Sequence, residues 1–222
     1  MKLLFQALGK AVSGLVCLGL FLFLPAGTLH YDNAWLLIAI LFIPMIFFGL
    51  ALYFKAPELL KKRLNTKEEN PEQKSVILLS SLLFAATFIL SGLGVRFGLK
   101  MLPKWVSVAA CAVFLAGYAM YIEVMRENAY LSRTVEVQEN QKVVDTGLYG
   151  LVRHPMYFAT ILLFCSMPLV LGSLPAFLVM LLFYPPILVR RIRDEEKTLL
   201  LGLPGYGAYM DKVKYRLFPF IW

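Results

Sequence analysis

Long uncharged runs separated by short polar segments set the pattern of this chain. Lys10 and His30 enclose 19 uncharged residues, Asp32 and Lys55 enclose 22, Lys74 and Arg96 enclose 21, and Lys104 and Glu123 enclose 18. About 20 apolar helical residues cross the hydrocarbon core of a bilayer, so four spans are predicted over roughly 11–29, 34–54, 75–95 and 105–122. A fifth run, between His154 and Arg190, holds 35 residues. As one helix it would be about 52 Å long, against a core of about 30 Å. Gly172-Ser173-Leu174-Pro175 interrupts it. The pattern therefore predicts a tight hairpin of two short helices, about 156–171 and 175–190, kinked at Pro168, Pro185 and Pro186. The expected fold is an all-α integral membrane protein of about six transmembrane helices, the last two a Pro-broken hairpin.

The smaller features fit this frame. The first run has the look of a signal peptide, but four more runs follow it, so it reads as a retained first span. Trp35 and Trp105 fall near span ends, where aromatic rings favour the interface. The segment 55–75 reads as a short surface helix ended by Asn70-Pro71. One membrane domain over 1–222 is expected, with four spans in 1–122 and the chemistry-bearing region in 123–222.

Composition strengthens the reading. Hydrophobic residues make up 59% and charged residues 16% of the chain, and the mean hydropathy is +0.70. A soluble domain carries about 25% charged residues, so soluble and disordered classes are excluded. The net charge of +8 is explained by the positive-inside rule rather than by nucleic acid. Alternate polar segments place 19 of the 22 Lys and Arg residues on one side of the membrane. Both termini are therefore expected in the cytoplasm, which requires an even number of spans. Cys17, Cys111 and Cys165 all lie in apolar runs, there is no Cys-x-x-Cys, and His30 and His154 are the only histidines. No protein-ligated metal is expected.

The chemistry-capable residues sit on either side of the hairpin. Before it stand Glu123, Arg126, Glu127, Gln138, Asp145, Tyr149, Arg153 and His154; after it stand Arg190, Arg191, Arg193, Asp194, Glu195, Glu196, Tyr206 and Tyr209. A hairpin brings its two ends together, so His154 and Arg190 are expected at the same membrane surface. One composite polar site at a membrane mouth follows.

Two motifs in these segments carry a resemblance. The first is Gly147-x-Tyr149 followed by Arg153-His154-Pro155-x-Tyr157. The second is Arg190-Arg191-x-Arg193, then Glu195-Glu196-x-x-Leu199, then Gly202 or Gly205 and Tyr206-x-x-Tyr209. In this order, around a Pro-containing hairpin, they resemble the signatures of the isoprenylcysteine carboxyl methyltransferase and phospholipid methyltransferase superfamily. The likeness is close over about 133–222; the first four spans match in character alone. One departure is Ala159, where many relatives have Gly, which puts close helix packing there in question. Loop lengths near Gln138 vary in the family.

The resemblance implies an S-adenosylmethionine-dependent membrane methyltransferase with a cytoplasmic cofactor pocket closed by the C-terminal tail. It implies cofactor contacts from Gln138, Val143, Val144, Tyr149, His154, Pro155, Met156, Tyr157 and Glu195. It implies Arg191 at the acceptor group, so that Arg191 and Glu195 carry the catalytic roles.

The residue types suit those roles. Aromatic faces attract a sulfonium cation by about 0.5–2 kcal/mol. Glu195 can accept from an amine or from ribose hydroxyls. Methyl transfer needs in-line approach, hence positioning above all. A carboxylate acceptor is already a nucleophile, and the Arg191 fork suits its two oxygens. An amine acceptor must lose a proton, for which Glu195 or Glu196 is the candidate base. Arg191 and Glu195 are four positions apart, so on a continuing helix they share one face, with Arg191 nearer the membrane. Arg191 then serves the acceptor and Glu195 the cofactor.

Plainer roles are set beside these. Arg190 and Arg193 are expected as positive-inside anchors, Glu196 as a solvated residue, and Gly147 as a turn residue with positive φ. His154 also suits a helix cap before Pro155.

The expected reaction is methyl transfer to a lipophilic acceptor reached from the bilayer, with carboxyl O-methylation of an isoprenylcysteine-like group ahead of phospholipid or other lipid N-methylation. A nicotinamide-dependent membrane reductase is the alternative enzyme class, although no Gly-rich dinucleotide loop is present. A transporter would need ionisable residues inside its spans, and the first four have none.

Overall fold

The computed structural model describes residues 1–65, 71–132 and 134–222. They form eight α-helices and one 3₁₀ turn, with no strand among the described residues. The helices are α1 (Lys2–Ala26), α2 (Asp32–Lys55), α3 (Pro57–Leu64), α4 (Pro71–Arg96), α5 (Lys104–Glu127), α6 (Pro155–Val170), α7 (Leu174–Gly202) and α8 (Tyr206–Lys212). Five of them, α1, α2, α4, α5 and α7, are long and apolar enough to cross a membrane. The apolar α6 has 16 residues and is about 24 Å long at 1.5 Å per residue.

One expectation about the hairpin is corrected. It turns at Gly172-Ser173 as anticipated, but its second arm runs to Gly202, past the expected end near 190. Beyond Arg190 the helix keeps a buried stripe, Leu188, Ile192 and Glu196, at four-residue spacing, so it continues by packing one face inward. Pro168 lies inside α6, and Pro185 and Pro186 lie inside α7. The short helix α3 forms as expected, with Leu59 and Leu60 buried. Asn70, expected to end that segment, lies outside the described residues.

Glycines let the helices approach. A Cβ on Gly92 of α4 would lie 2.5 Å from the Leu22 carbonyl of α1. On α5, a Cβ on Gly117 would lie 2.9 Å from Leu162 Cβ and 3.2 Å from the Ala159 carbonyl of α6. Close packing is therefore kept at Ala159, because the missing glycine stands on the opposite helix. Ala159 itself is fully buried.

The turn end of the bundle is tied by neutral groups. Gly172 has φ +74°, and a Cβ there would meet Met101 and the Asn33 amide at under 3 Å. Buried Tyr31 donates its hydroxyl to the Leu171 carbonyl at 2.7 Å. Ser107 Oγ donates to the Leu169 carbonyl at 3.2 Å, and the Leu102 amide donates to the Gly172 carbonyl at 2.9 Å. Ser173 caps α7 by accepting from the Ala176 amide. Trp35 and Trp105 also stand at this end, both exposed. The opposite end holds the polar residues of both motifs.

Candidate functional site

The first motif is shaped by its glycine. Gly147 has φ +49°, and a Cβ there would fall 2.1 Å from the Glu127 carboxylate. That carboxylate accepts from Thr146 Oγ1 at 3.0 Å and from the Leu148 amide at 3.2 Å. The 3₁₀ turn Gly147–Gly150 follows and buries Tyr149. The Tyr149 hydroxyl accepts from Asn128 Nδ2 at 3.0 Å, while its carbonyl accepts from the Tyr209 hydroxyl at 2.8 Å. Burial pushes the Tyr149 phenol well above its ordinary value, so it stays protonated. Pro155 opens α6 at the first helical position. His154 occupies the N-cap position of α6, as its plainer role expects, without a side-chain hydrogen bond to the helix.

The tail folds back onto this motif. The Arg153 and His154 amides donate to the Tyr215 and Arg216 carbonyls, both at 2.9 Å. Arg153 Nη1 donates to the Val213 and Lys214 carbonyls at 2.7 and 2.9 Å. Arg153 Nε reaches Glu196 Oε1 at 2.8 Å, and Arg216 Nε reaches Glu196 Oε2 at 2.7 Å. His154 Nε2 lies 3.3 Å from Glu196 Oε1. Glu196 was expected to be solvated; it is 5% exposed and sits at the centre of this cluster. Both its oxygens are engaged by guanidinium groups, so it is no longer a candidate base. The signal that could have found it is the stripe Leu188, Ile192 and Glu196, which places it on the inward face of α7.

A second cluster joins α6, α7 and α4. Arg191 Nε donates to the Tyr157 hydroxyl at 2.8 Å, and that hydroxyl donates to Glu195 Oε2. Arg191 Nη1 donates to Gln73 Oε1 at 2.9 Å, and Gln73 Nε2 donates to Asp194 Oδ2 at 2.5 Å. Gln73 is fully buried. Sequence reasoning missed it, because a lone glutamine at the start of a span carries no motif. Tyr157 stands between Arg191 and Glu195, which share a face of α7 as expected.

Two cavities meet here. The first, partly open, is lined by Val143, Val144, Tyr149, His154, Met156, Tyr157, Arg191 and Glu195, among others. Two expected cofactor residues are not among its lining. Pro155 is buried in the packing of α6. Gln138 turns its Nε2 to the Tyr130 carbonyl at 2.5 Å, and its Oε1 is buried without a partner among the described residues. The second cavity runs between α4, α6 and α7 past Arg63, Ile77, Ser80, Phe84, Thr160, Phe164, Tyr184 and Leu188. Ser132, Met156, Tyr157 and Arg191 line both cavities, whereas Glu195 lines the first and not the second. No acidic side chain lines the second among the described residues. Arg190 and Arg193 are exposed on the outer face of α7, as surface anchors would be.

The first cavity is the one that the residues of both motifs line. Its wall offers aromatic faces, the carboxylates of Glu136 and Glu195, and a buried tyrosine hydroxyl, that of Tyr206, without a partner among the described residues. That set fits a cationic sulfonium nucleoside. No cluster of three or more metal-ligating side chains occurs among the described residues.

A helical membrane protein with a polar cavity and an apolar one sharing a wall is the class that fold and site define. Within it, residues 108–201, which carry the first motif, Arg191 and Glu195, match the isoprenylcysteine carboxyl methyltransferase (ICMT) family. The chain is also 28% identical over 91 residues to a Delta(14)-sterol reductase of Mus musculus. That match takes in 40% of this chain and 22% of the reductase, so the chain spans well under half the length of that relative.

Proposed function

We propose that this chain transfers a methyl group from S-adenosylmethionine to a lipophilic acceptor, most simply to the carboxylate of an isoprenylcysteine-like group. The observation that carries the proposal is the wall of Met156, Tyr157 and Arg191 common to the two cavities. A cofactor in the polar cavity and a lipid tail in the apolar one would meet at that wall. S-adenosylmethionine, when bound, supplies an electrophilic methyl group on a sulfonium centre.

The chain's own residues then do the positioning. Arg191 is held by the Tyr157 hydroxyl and by Gln73, which fixes its guanidinium at the junction, where it can grip an anionic head group. Tyr157 offers its face to a cation. Glu195, confined to the first cavity, is placed to hold cofactor polar groups. The lack of acidic lining in the second cavity favours a carboxylate acceptor, which needs no base, over an amine. If an amine is methylated, Glu195 remains the candidate base.

In the membrane we propose that the site end faces the cytoplasm, with both termini on that side and α6 as a short sixth span. The 19-to-3 division of cationic residues supports this orientation. Cysteine accessibility that places residue 65 and the C-terminus on opposite sides would overturn it.

Incubating the purified chain with methyl-labelled S-adenosylmethionine and N-acetyl-S-farnesylcysteine tests the reaction. Label in a base-labile methyl ester is the expected result; no labelled lipid from this acceptor or from a total membrane extract would refute it. The likeness to the sterol reductase favours a second reading, nicotinamide binding in the first cavity. Titration of the reduced nicotinamide dinucleotide phosphate against S-adenosylhomocysteine separates the two, because one of them alone should bind.

A further inference from the structure

Five tyrosines line the first cavity, and four have hydrogen-bond partners. Tyr206 does not: it is buried, and its hydroxyl has no partner among the described residues. Buried polar groups in folded proteins are almost always paired, and an exception calls for an explanation. Burial, together with the carboxylates of Glu196 and Glu195, pushes the Tyr206 phenol far above its ordinary value. The group is thus an O–H donor at any working pH, and what it lacks is an acceptor.

Its place in the cavity narrows the ligand. Tyr206 packs with Leu203, Tyr209 and Val213, with Val143 and Leu199 alongside. This wall is apolar, and neither Val143, Leu203 nor Tyr206 lines the second cavity. Charged side chains line the rest of the cavity, Arg191 where the two cavities join and Glu136, Lys142, Arg153 and Glu195 besides, with Glu195 near enough to act on Tyr206. Under the methyl-transfer reading, the reacting sulfonium must lie at that junction. The part of the cofactor held by the apolar wall is then its flat base and sugar, which carry ring nitrogens and hydroxyl oxygens as acceptors. The ionic amino-acid part suits the charged side chains instead.

We propose that Tyr206 is a ligand-binding residue whose hydroxyl donates a hydrogen bond to an acceptor atom of the nucleoside part of S-adenosylmethionine. The assignment rests on the function proposed above and adds a contact from the tail helix, beyond residue 201.

The test is calorimetric titration of the full-length chain with S-adenosylhomocysteine and with 5′-methylthioadenosine, which keeps the nucleoside and lacks the amino acid. Tyr206→Phe should weaken both ligands by about ten-fold, the worth of one well-made hydrogen bond. Its Tm without ligand should be unchanged or higher, because phenylalanine removes an unpaired buried hydroxyl. Tyr209→Phe, which loses the bond to the Tyr149 carbonyl, should lower Tm. Equal affinities for wild type and Tyr206→Phe would overturn the proposal, as would a lowered Tm for Tyr206→Phe, the mark of a structural role. Loss confined to S-adenosylhomocysteine, or no binding of 5′-methylthioadenosine by the wild type, would overturn the nucleoside placement. A wild-type chain that binds neither ligand would refute the methyltransferase reading itself, a result distinct from all of these.

Discussion

The two ends of the helix bundle are held by different chemistry. At the turn end, Tyr31, Ser107 and the Leu102 amide bond to the carbonyls of residues 169–172. Each of these three groups is neutral, and each satisfies a backbone oxygen near the turn. At the site end, Glu196 is buried between Arg153, Arg216 and His154, and Arg191 is pinned by Tyr157 and Gln73. Burying charge costs several kcal/mol per ion before pairing, and well-packed apolar residues often do as well or better. Stability alone therefore does not account for the site end. The neutral end shows what this fold needs to make a tight hairpin; the charged end shows what it carries beyond that need.

The comparison is broken most severely at Glu196. Glu196→Ala leaves two guanidinium groups without their shared acceptor, Arg153 among them fully enclosed. Removing one partner of a buried pair costs about 3–5 kcal/mol. The variant is expected to lose a folded tail, measured as a large fall in Tm in detergent and rapid proteolysis after residue 202. A Tm within a degree or two of wild type would mean that the cluster is not needed to hold the tail.

Arg191 comes next, and here function should fall without the fold. Arg191→Ala is expected to lower methyl transfer about 100-fold, since an oriented charged contact to the acceptor is worth roughly 2–3 kcal/mol. Affinity for S-adenosylhomocysteine should stay within about two-fold. Arg191→Lys should rescue poorly, because lysine lacks the planar fork. Glu195→Ala should do the reverse, weakening cofactor binding first. Kinetics with cofactor and acceptor varied separately check both, and parallel effects in the two variants would rule out a division of labour.

How much of this was legible in the sequence follows the same divide. The helices and the hairpin turn were readable because apolar run length and Gly172-Ser173 are local signals. The extent of α7 was not, because residues 191–202 look like a solvated tail until their inward stripe finds the motif to pack on. Arg191, Tyr157 and Glu195 were readable from their motif positions. Gln73 was not, since its meaning arises only when α4 packs against α7, more than 100 residues away in the chain. Glu196 was misjudged for a related reason: a charge beside a charge reads as surface, and its burial depends on Arg216 returning from the far end of the tail. Gln138 remains apart from the cavity, which matches the variable loop in which it lies.

A smaller effect is expected at the turn end. Gly172→Ala forces a side chain onto a left-handed backbone against Met101 and Asn33, costing about 1–2 kcal/mol. Because the strain lies at the opposite end of α6 and α7 from the site, methyl transfer per folded molecule should not change. A Tm lowered by several degrees with wild-type kcat would sharpen the contrast; a matching fall in kcat would show that the two ends are coupled through those helices.

The smallest effect belongs to a charged pair on the rim of the site. Lys212 Nζ lies 2.7 Å from Asp145 Oδ2, with both side chains substantially exposed. The pair joins α8 to the loop before Gly147. Lys212 holds the Asp145 carboxyl below its ordinary value. The sign follows from that direction. The pair contributes to stability above the unfolded carboxyl value, about 3.9, and the contribution disappears as pH falls through the lower folded value. Exposed ion pairs contribute little and are screened by salt. Lys212→Ala should therefore change Tm barely measurably at pH 7, and not at all below the folded value or in molar salt. This places the pair apart from the Arg153–Glu196 pair, although both link the tail to the same motif. Solvent screens one and not the other. A large, salt-resistant loss on Lys212→Ala would show that the rim pair, rather than the buried cluster, holds the tail in place.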